Sequence, residues 1–104
     1  MSIESTLVAD TATAVYTSVN NTAITWLSFT NYSGSTVQLT VNIVESGSSA
    51  SDTNTVVHSL DIPSNDTYQF YAGGEKVLLE NGDFISATCN TASSLSSTVS
   101  FAAV

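Results

Sequence analysis

The chain has 104 residues, one domain's worth, and its 42% hydrophobic and 10% charged residues exclude the disordered class. Nine acids against a single base, Lys76, give a net charge of −8. That balance excludes counterion-release binding to DNA or RNA and disfavours an anionic membrane surface.

Ser and Thr make up about a third of the residues. With Val, Ile and the aromatics they favour strands, and good helix formers are scarce. The chain reads as short alternating segments separated by turn chemistry. Ile3–Ala9 is a first strand or arm. Thr13–Val19 follows, and Asn20-Asn21 reads as a hairpin tip, because Asn tolerates positive φ. Ala23–Thr30 carries Ile24 and Trp26 on one face and Leu27 and Phe29 on the other, which predicts a central strand. Asn31-Tyr32-Ser33-Gly34-Ser35 is a turn.

In the next segment Val37, Leu39, Val41 and Ile43 point one way, while Gln38, Thr40 and Asn42 point the other. That pattern predicts one core face and one wet face. Ser46–Asn54 lacks apolar periodicity and is expected to be an exposed loop. Thr55–Ile62 is a strand closed by Pro63, and Pro63-Ser64-Asn65-Asp66 is a turn. Thr67–Tyr71 holds three aromatics, Tyr68, Phe70 and Tyr71. Gly73-Gly74 turns the chain into a short strand at Lys76–Glu80, and Asn81-Gly82 is a strong two-residue hairpin signal. Phe84–Asn90 sets Ile85, Ala87 and Cys89 against Phe84, Ser86 and Thr88. A Ser-rich turn leads to Thr98–Val104, with Val99, Phe101 and Ala103 on one face. The expected fold is all-β: one antiparallel β-sandwich or jelly roll of about eight strands over residues 1–104, with residues 1–10 as an N-terminal arm.

Chemistry-bearing residues are sparse. The one His, His58, sits mid-strand with no triad pattern around it, and the one Cys, Cys89, reads as a small buried hydrophobe. One Cys and one His cannot fill a structural zinc site, and a lone Cys cannot form an internal disulfide. Asp61, Asn65 and Asp66, or Asp52 and Asn54, are oxygen ligands available to calcium, but turn chemistry explains the same residues. Gly73-Gly74 and Gly82 do not lead into helices, so they hold no phosphate. The expectation is a non-enzyme without a cofactor or metal. Trp26 is assigned to packing. Tyr68, Phe70 and Tyr71 are assigned first to core and hairpin packing, and a glycan-binding surface is the sharper alternative. The segment Met1-Ser2-Ile3-Glu4 lacks the basic and apolar regions of a signal peptide, and no apolar run spans a bilayer. Synthesis in a cytoplasm is expected.

Three stretches carry a family resemblance. They are Pro63-Ser64-Asn65-Asp66-Thr67-Tyr68, Leu79-Glu80-Asn81-Gly82-Asp83-Phe84-Ile85-Ser86-Ala87, and the closing Val99-Ser100-Phe101-Ala102 strand after a Ser-rich turn. The first half adds Trp26-Leu27-Ser28-Phe29-Thr30-Asn31, a Ser-Gly turn and a Thr-Val-x-Leu-Thr-Val strand. From about Thr13 onward the chain resembles small structural proteins of tailed bacteriophages. The shared motifs are β-sandwich corners rather than site residues. The resemblance implies a virion component made in the host cytoplasm. A capsid decoration or cement protein is favoured, and a tail, neck or fibre-attachment subunit is the alternative in the same class. A carbohydrate- or receptor-binding module is a second class. The implied partners are further copies of the chain and other virion proteins, above all the major capsid protein. Candidate interface residues are Ile3, Leu7, Tyr68, Phe70 and Tyr71, and the segment from Ser2 to Asp10 is a strand that could join a neighbour's sheet.

Overall fold

In a computed structural model the alternating segments form nine strands in two antiparallel sheets. It describes residues 2–70, 77–92 and 94–103, with Ser2 and Phe70 through their backbone alone. Strands run β1 Ser2–Leu7, β2 Thr13–Thr17, β3 Thr22–Asn31, β4 Val37–Val44, β5 Thr55–Ile62, β6 Thr67–Phe70, β7 Val77–Leu79, β8 Phe84–Cys89 and β9 Leu95–Ala103. Sheet I has the order β1-β9-β3-β6, and β7 pairs with the same edge of β3 as a second short piece. Sheet II has the order β2-β8-β4-β5. Successive strands change sheet at nearly every connection, with β4–β5 the hairpin inside sheet II. This winding is a jelly roll. The expected Gly73-Gly74 turn, Tyr71 and Lys76 lie outside the described residues.

The core lies between the sheets. Ile24, Leu27, Phe29, Leu95 and Val99 of sheet I face Val37, Leu39, Val41, Ile85 and Ala87 of sheet II. Tyr16 bridges the layers and stacks on Phe101, with ring centroids 4.4 Å apart. On β3 the alternation breaks. Ile24 pairs with Phe101 and Trp26 with Ser100, so Thr25 is an extra, bulged residue. A bulge reverses which face later residues occupy. Ile24, Leu27 and Phe29 therefore all point inward, and Trp26 points out and is 38% exposed. The expectation that Trp26 packs inside, on the face of Ile24, is corrected by this one extra residue. β3 does take the central position its apolar content predicts, between β9 and β6/β7.

The two Asn-rich turns join sheets rather than adjacent strands. Asn20-Asn21 links β2 in sheet II to β3 in sheet I, and Asn81-Gly82 links β7 in sheet I to β8 in sheet II. Neither is the expected hairpin tip. A two-residue type I′ hairpin needs positive φ at both central residues. Here Gly82 has φ +90°, and Asn81 is not among the positive-φ residues. The two corners bond to each other. Ser18 N donates to Asp83 O at 2.8 Å, Gly82 N to Ser18 O at 3.0 Å, and Asn20 N to Asn81 Oδ1 at 2.8 Å. Asp83 caps its own turn through Glu80 N and reaches β4's end through Ser46 N, each at 2.9 Å.

At the opposite end Asn31 is fully buried where β3 leaves sheet I. Its Nδ2 donates to Ser35 O and Ile62 O, each at 2.8 Å. Its Oδ1 accepts from Ser33 N at 2.9 Å and from Ser33 Oγ at 2.6 Å. The backbone of Asn31 also bonds Asp66 O and Asn65 N, each at 2.9 Å. One amide side chain thus fixes the lead-in to β4 and the end of β5, and its backbone fixes the turn before β6.

The loop after β4 is exposed, as expected, but it is not unstructured. Asp52–Asn54 forms a single 3-10 turn. Asn42 is only 4% exposed, so it is not on a wet face. Its Nδ2 donates toward Ser51 O, Asn54 Oδ1 and Thr55 Oγ1 at 2.8–3.0 Å, which draws the loop over sheet II.

Two stability predictions follow from the corners. Asn31→Leu removes the amide's bonds to Ile62 O, Ser35 O and Ser33 from a fully buried position, and should cost about 3 kcal/mol or more by urea unfolding. A loss under about 1 kcal/mol would contradict the role of this amide. At Gly82 an added Cβ would lie 2.5 Å from Ser46 Oγ. Gly82→Ala should therefore destabilise by more than about 1 kcal/mol, and adding Ser46→Ala should restore only part, because the φ strain remains. Full recovery in the double variant would show that the backbone angle is unimportant.

Candidate interaction surface

Among the described strands, the five of sheet I contain one acid, Glu4, and the four of sheet II contain one, Asp61 on β5. The other described acids lie in the loops and at the corners. The register places side chains in rows across the outer face. Ile3, Ser100 and Trp26 form one row, and Ser5, Thr98, Ser28 and Gln69 a second. Leu7, Ser96, Thr30 and Thr67 form a third, and Ala102, Ala23 and Leu78 a fourth. Glu4 is opposite fully buried Val99, so it belongs to the inward-facing set, exposed at the sheet edge, and the described residues of the outer face carry no charge.

The face is apolar at its corners and hydroxyl-rich between them. Ile3 is 71% exposed, Leu7 52% and Leu78 71%. These three with Trp26 are four of the large hydrophobic side chains left in solvent. The hydroxyls are partly spent on each other: Thr30 and Thr67 share a bond at 3.1 Å, and Thr25 Oγ1 donates to Ser100 Oγ at 2.9 Å. Scattered surface hydrophobics need no explanation, but several on one sheet face of a −8 chain make that face the candidate contact surface. On sheet II the loop held by Asn42 lies against β4, and Asp61 beside Gln38 puts a charge on the outer face.

Of the interface residues expected from sequence, Ile3 and Leu7 are on this face. Tyr68 is not. It pairs with fully buried Phe29 and packs against the core. Even spacing along β6 turns it inward while Thr67 and Gln69 face out. Phe70 pairs through its backbone with Leu27, and Tyr71 lies outside the described residues. Trp26 and Leu78 were missed as surface residues. The Thr25 bulge hid Trp26, and nothing in the apolar run Val77-Leu78-Leu79 shows which residue faces out. The first strand, expected as an arm, pairs antiparallel with β9 in its own sheet from Ser2↔Phe101 to Leu7↔Ser96.

The chemistry-bearing residues are far apart in the sheet order. His58 is exposed on edge strand β5, next to Ser59, whose φ is +48°. Cys89 is buried on β8, and β4 runs between β8 and β5. Among the described residues no three His, Cys, Asp or Glu side chains converge on a metal-sized site. Asp66 accepts from Thr67 N, and the amide of Asn54 is occupied by Asn42, Ser51 and Ser49. Among the described residues no helix is long and apolar enough to cross a membrane.

Burial pushes the Cys89 thiol above the ordinary thiol range, against a smaller opposing effect of backbone hydrogen bonding at Thr91. The neutral thiol is therefore favoured in the folded state, and its stabilising contribution is lost as pH rises past the unfolded thiol pKa. Alkylation of Cys89 by iodoacetamide at pH 8 should be roughly 100-fold slower in the native protein than in urea. Equal rates would show that this thiol is open to solvent. Comparison with protein-family models, with curated proteins and with solved structures finds no match to this chain.

Proposed function

We propose that the protein is a structural subunit of a bacteriophage virion, most specifically a capsid decoration or cement protein. In this reading the outer face of sheet I is its contact surface. The observation that carries the assembly part is the placement of Ile3, Leu7, Trp26 and Leu78, four of the seven exposed large hydrophobics among the described residues, on a sheet face whose described residues carry no charge. The virion part rests on the sandwich-corner motifs, from Leu79 to Ala87 and from Pro63 to Tyr68. Protein–protein contacts are built from apolar anchors, aromatic ones especially, surrounded by polar groups that satisfy each other across the interface. Ser and Thr hydroxyls can donate or accept, so this face accommodates a polar rim on a capsid subunit without a charge match.

The mechanism is mass action. A protein that binds the assembled shell and not its separated subunits favours the shell by its binding free energy. Surface acids elsewhere keep the free subunit soluble. A tail, neck or fibre-attachment position uses the same contact chemistry and remains the alternative within this class. The glycan-binding reading loses Tyr68, whose ring packs on the core.

Virus particles purified from the source of this sequence should contain the protein at a copy number set by the particle's symmetry. Trp26→Lys should reduce the bound fraction at least about tenfold, a binding change of about 1.4 kcal/mol. Its unfolding midpoint should stay within about 0.5 kcal/mol of the parent, as expected for an exposed site. Absence of the protein from purified particles would reject the virion assignment. Undiminished binding of Trp26→Lys would reject the outer face of sheet I as the contact.

A further inference from the structure

We propose that the free edge of β1 pairs antiparallel with β1 of a second copy of this chain, joining two copies of sheet I into one continuous sheet. The inference deepens the homo-oligomeric part of the proposed function and rests on that part.

The edges of the sandwich are not equivalent. β5 follows β4 with two register breaks and holds Ser59 in a left-handed conformation. β2 has a register break between Ala14 and Tyr16. The third edge is divided between β6, of four residues, and β7, of three. Bulges and short strands are the usual means of making an edge unfit for pairing. β1 has none of them. Its six residues pair with β9 without interruption, it contains no Pro, Gly or Lys, and its one charge, Glu4, falls opposite an uncharged Thr6 in the pairing proposed.

Hydrogen-bond alternation shows which groups are free. Val8 N donates to Leu95 O at 2.9 Å, which makes Val8–Leu95 a hydrogen-bonded pair in the β1–β9 register. Bonded and non-bonded pairs alternate in an antiparallel ladder. Glu4 and Thr6 therefore direct their backbone groups to β9, and Ile3, Ser5 and Leu7 direct theirs to the open edge. A two-fold partner must pair odd residues with odd residues.

Centring the two-fold on Ser5 sets Ser5 opposite Ser5 of the second copy, and Ile3 opposite Leu7, twice over. The exposed apolar side chains of the outer face then cover each other as cross-strand pairs. Glu4 falls opposite Thr6. Sliding the register by one allowed step in one direction sets Glu4 against Glu4, which two chains of charge −8 disfavour, and either slide breaks the Ile3–Leu7 pairs. The centred register satisfies the open backbone groups of Ile3, Ser5 and Leu7 on both copies. It also carries the uncharged outer face unbroken across both subunits, doubling the surface offered to a larger assembly.

The test is the mass of the purified protein by sedimentation equilibrium, up to about 500 μM. The parent chain should reach twice its subunit mass. Ser5→Pro removes an edge donor that β9 does not use, and Leu7→Asp breaks the apolar pairs at a half-exposed position. Both should sediment as monomers. Leu78→Asp, on the same face at the far edge, should remain dimeric. Should Ser5→Pro fail to fold, Leu7→Asp carries the test alone. A parent chain that stays monomeric overturns the inference, as does a dimer that survives Leu7→Asp or is lost in Leu78→Asp. A dimeric chain absent from virus particles would remove the virion reading and leave this one, while a particle-bound monomer would do the reverse.

Discussion

The buried amide of Asn31 is the constraint on which the geometry of the sandwich depends. Two sheets packed through apolar side chains can slide, because dispersion and hydrophobic burial have no direction. Asn31 supplies direction. It sits at zero exposure between the end of β3 and the start of β4, and its side chain holds backbone carbonyls from Ser35 and Ile62. No described buried side-chain nitrogen or oxygen is left without a partner. The amide therefore adds specificity without an unsatisfied group, the condition under which a buried polar network helps a fold. At the other end the bonds between the Ser18–Thr22 and Glu80–Asp83 corners do the same through backbone groups.

With both ends fixed, the sheets have a defined register, and that register decides what the surface presents. One bulged residue in β3 determines that Trp26 meets solvent and not Leu27. The uninterrupted β1–β9 ladder determines that Ile3 and Leu7 share the outer face while Glu4 turns away. The separation of charge is a result of register and topology: Glu4, the one acid in the strands of sheet I, falls on the inward-facing set, and the other described acids lie in loops, at corners and, as Asp61, on β5. A highly charged chain that assembles needs a place where like charges do not meet, and the outer face of sheet I is such a place.

Much of the fold was legible in the sequence. The alternation in Val37–Ile43 and Phe84–Cys89 marks core strands, and the Pro63-Ser64-Asn65-Asp66 turn stands where turn chemistry puts it. Sheet membership was not legible. Asn20-Asn21 and Asn81-Gly82 announce a change of direction, but the same residues serve a hairpin or a corner between layers, and long-range pairing decides which. Alternation also fails wherever a bulge inserts one residue, which is why Trp26 was placed inside. Asn42 looked like a wet-face residue because its burial comes from a loop folding back, a contact no local pattern encodes. Ile3 and Leu7 stood out as apolar positions near the chain start and lie on the outer face, while strand parity turns Tyr68 toward the core.

Hydrogen exchange along β1, read residue by residue at high and low protein concentration, tests the central claim most directly. The account predicts that the amides of Glu4 and Thr6, which point to β9, are protected at every concentration. The amides of Ile3, Ser5 and Leu7 should be protected only when the protein is concentrated enough to associate. Fast exchange of Ile3, Ser5 and Leu7 at every concentration would contradict it and leave β1 an unpartnered edge.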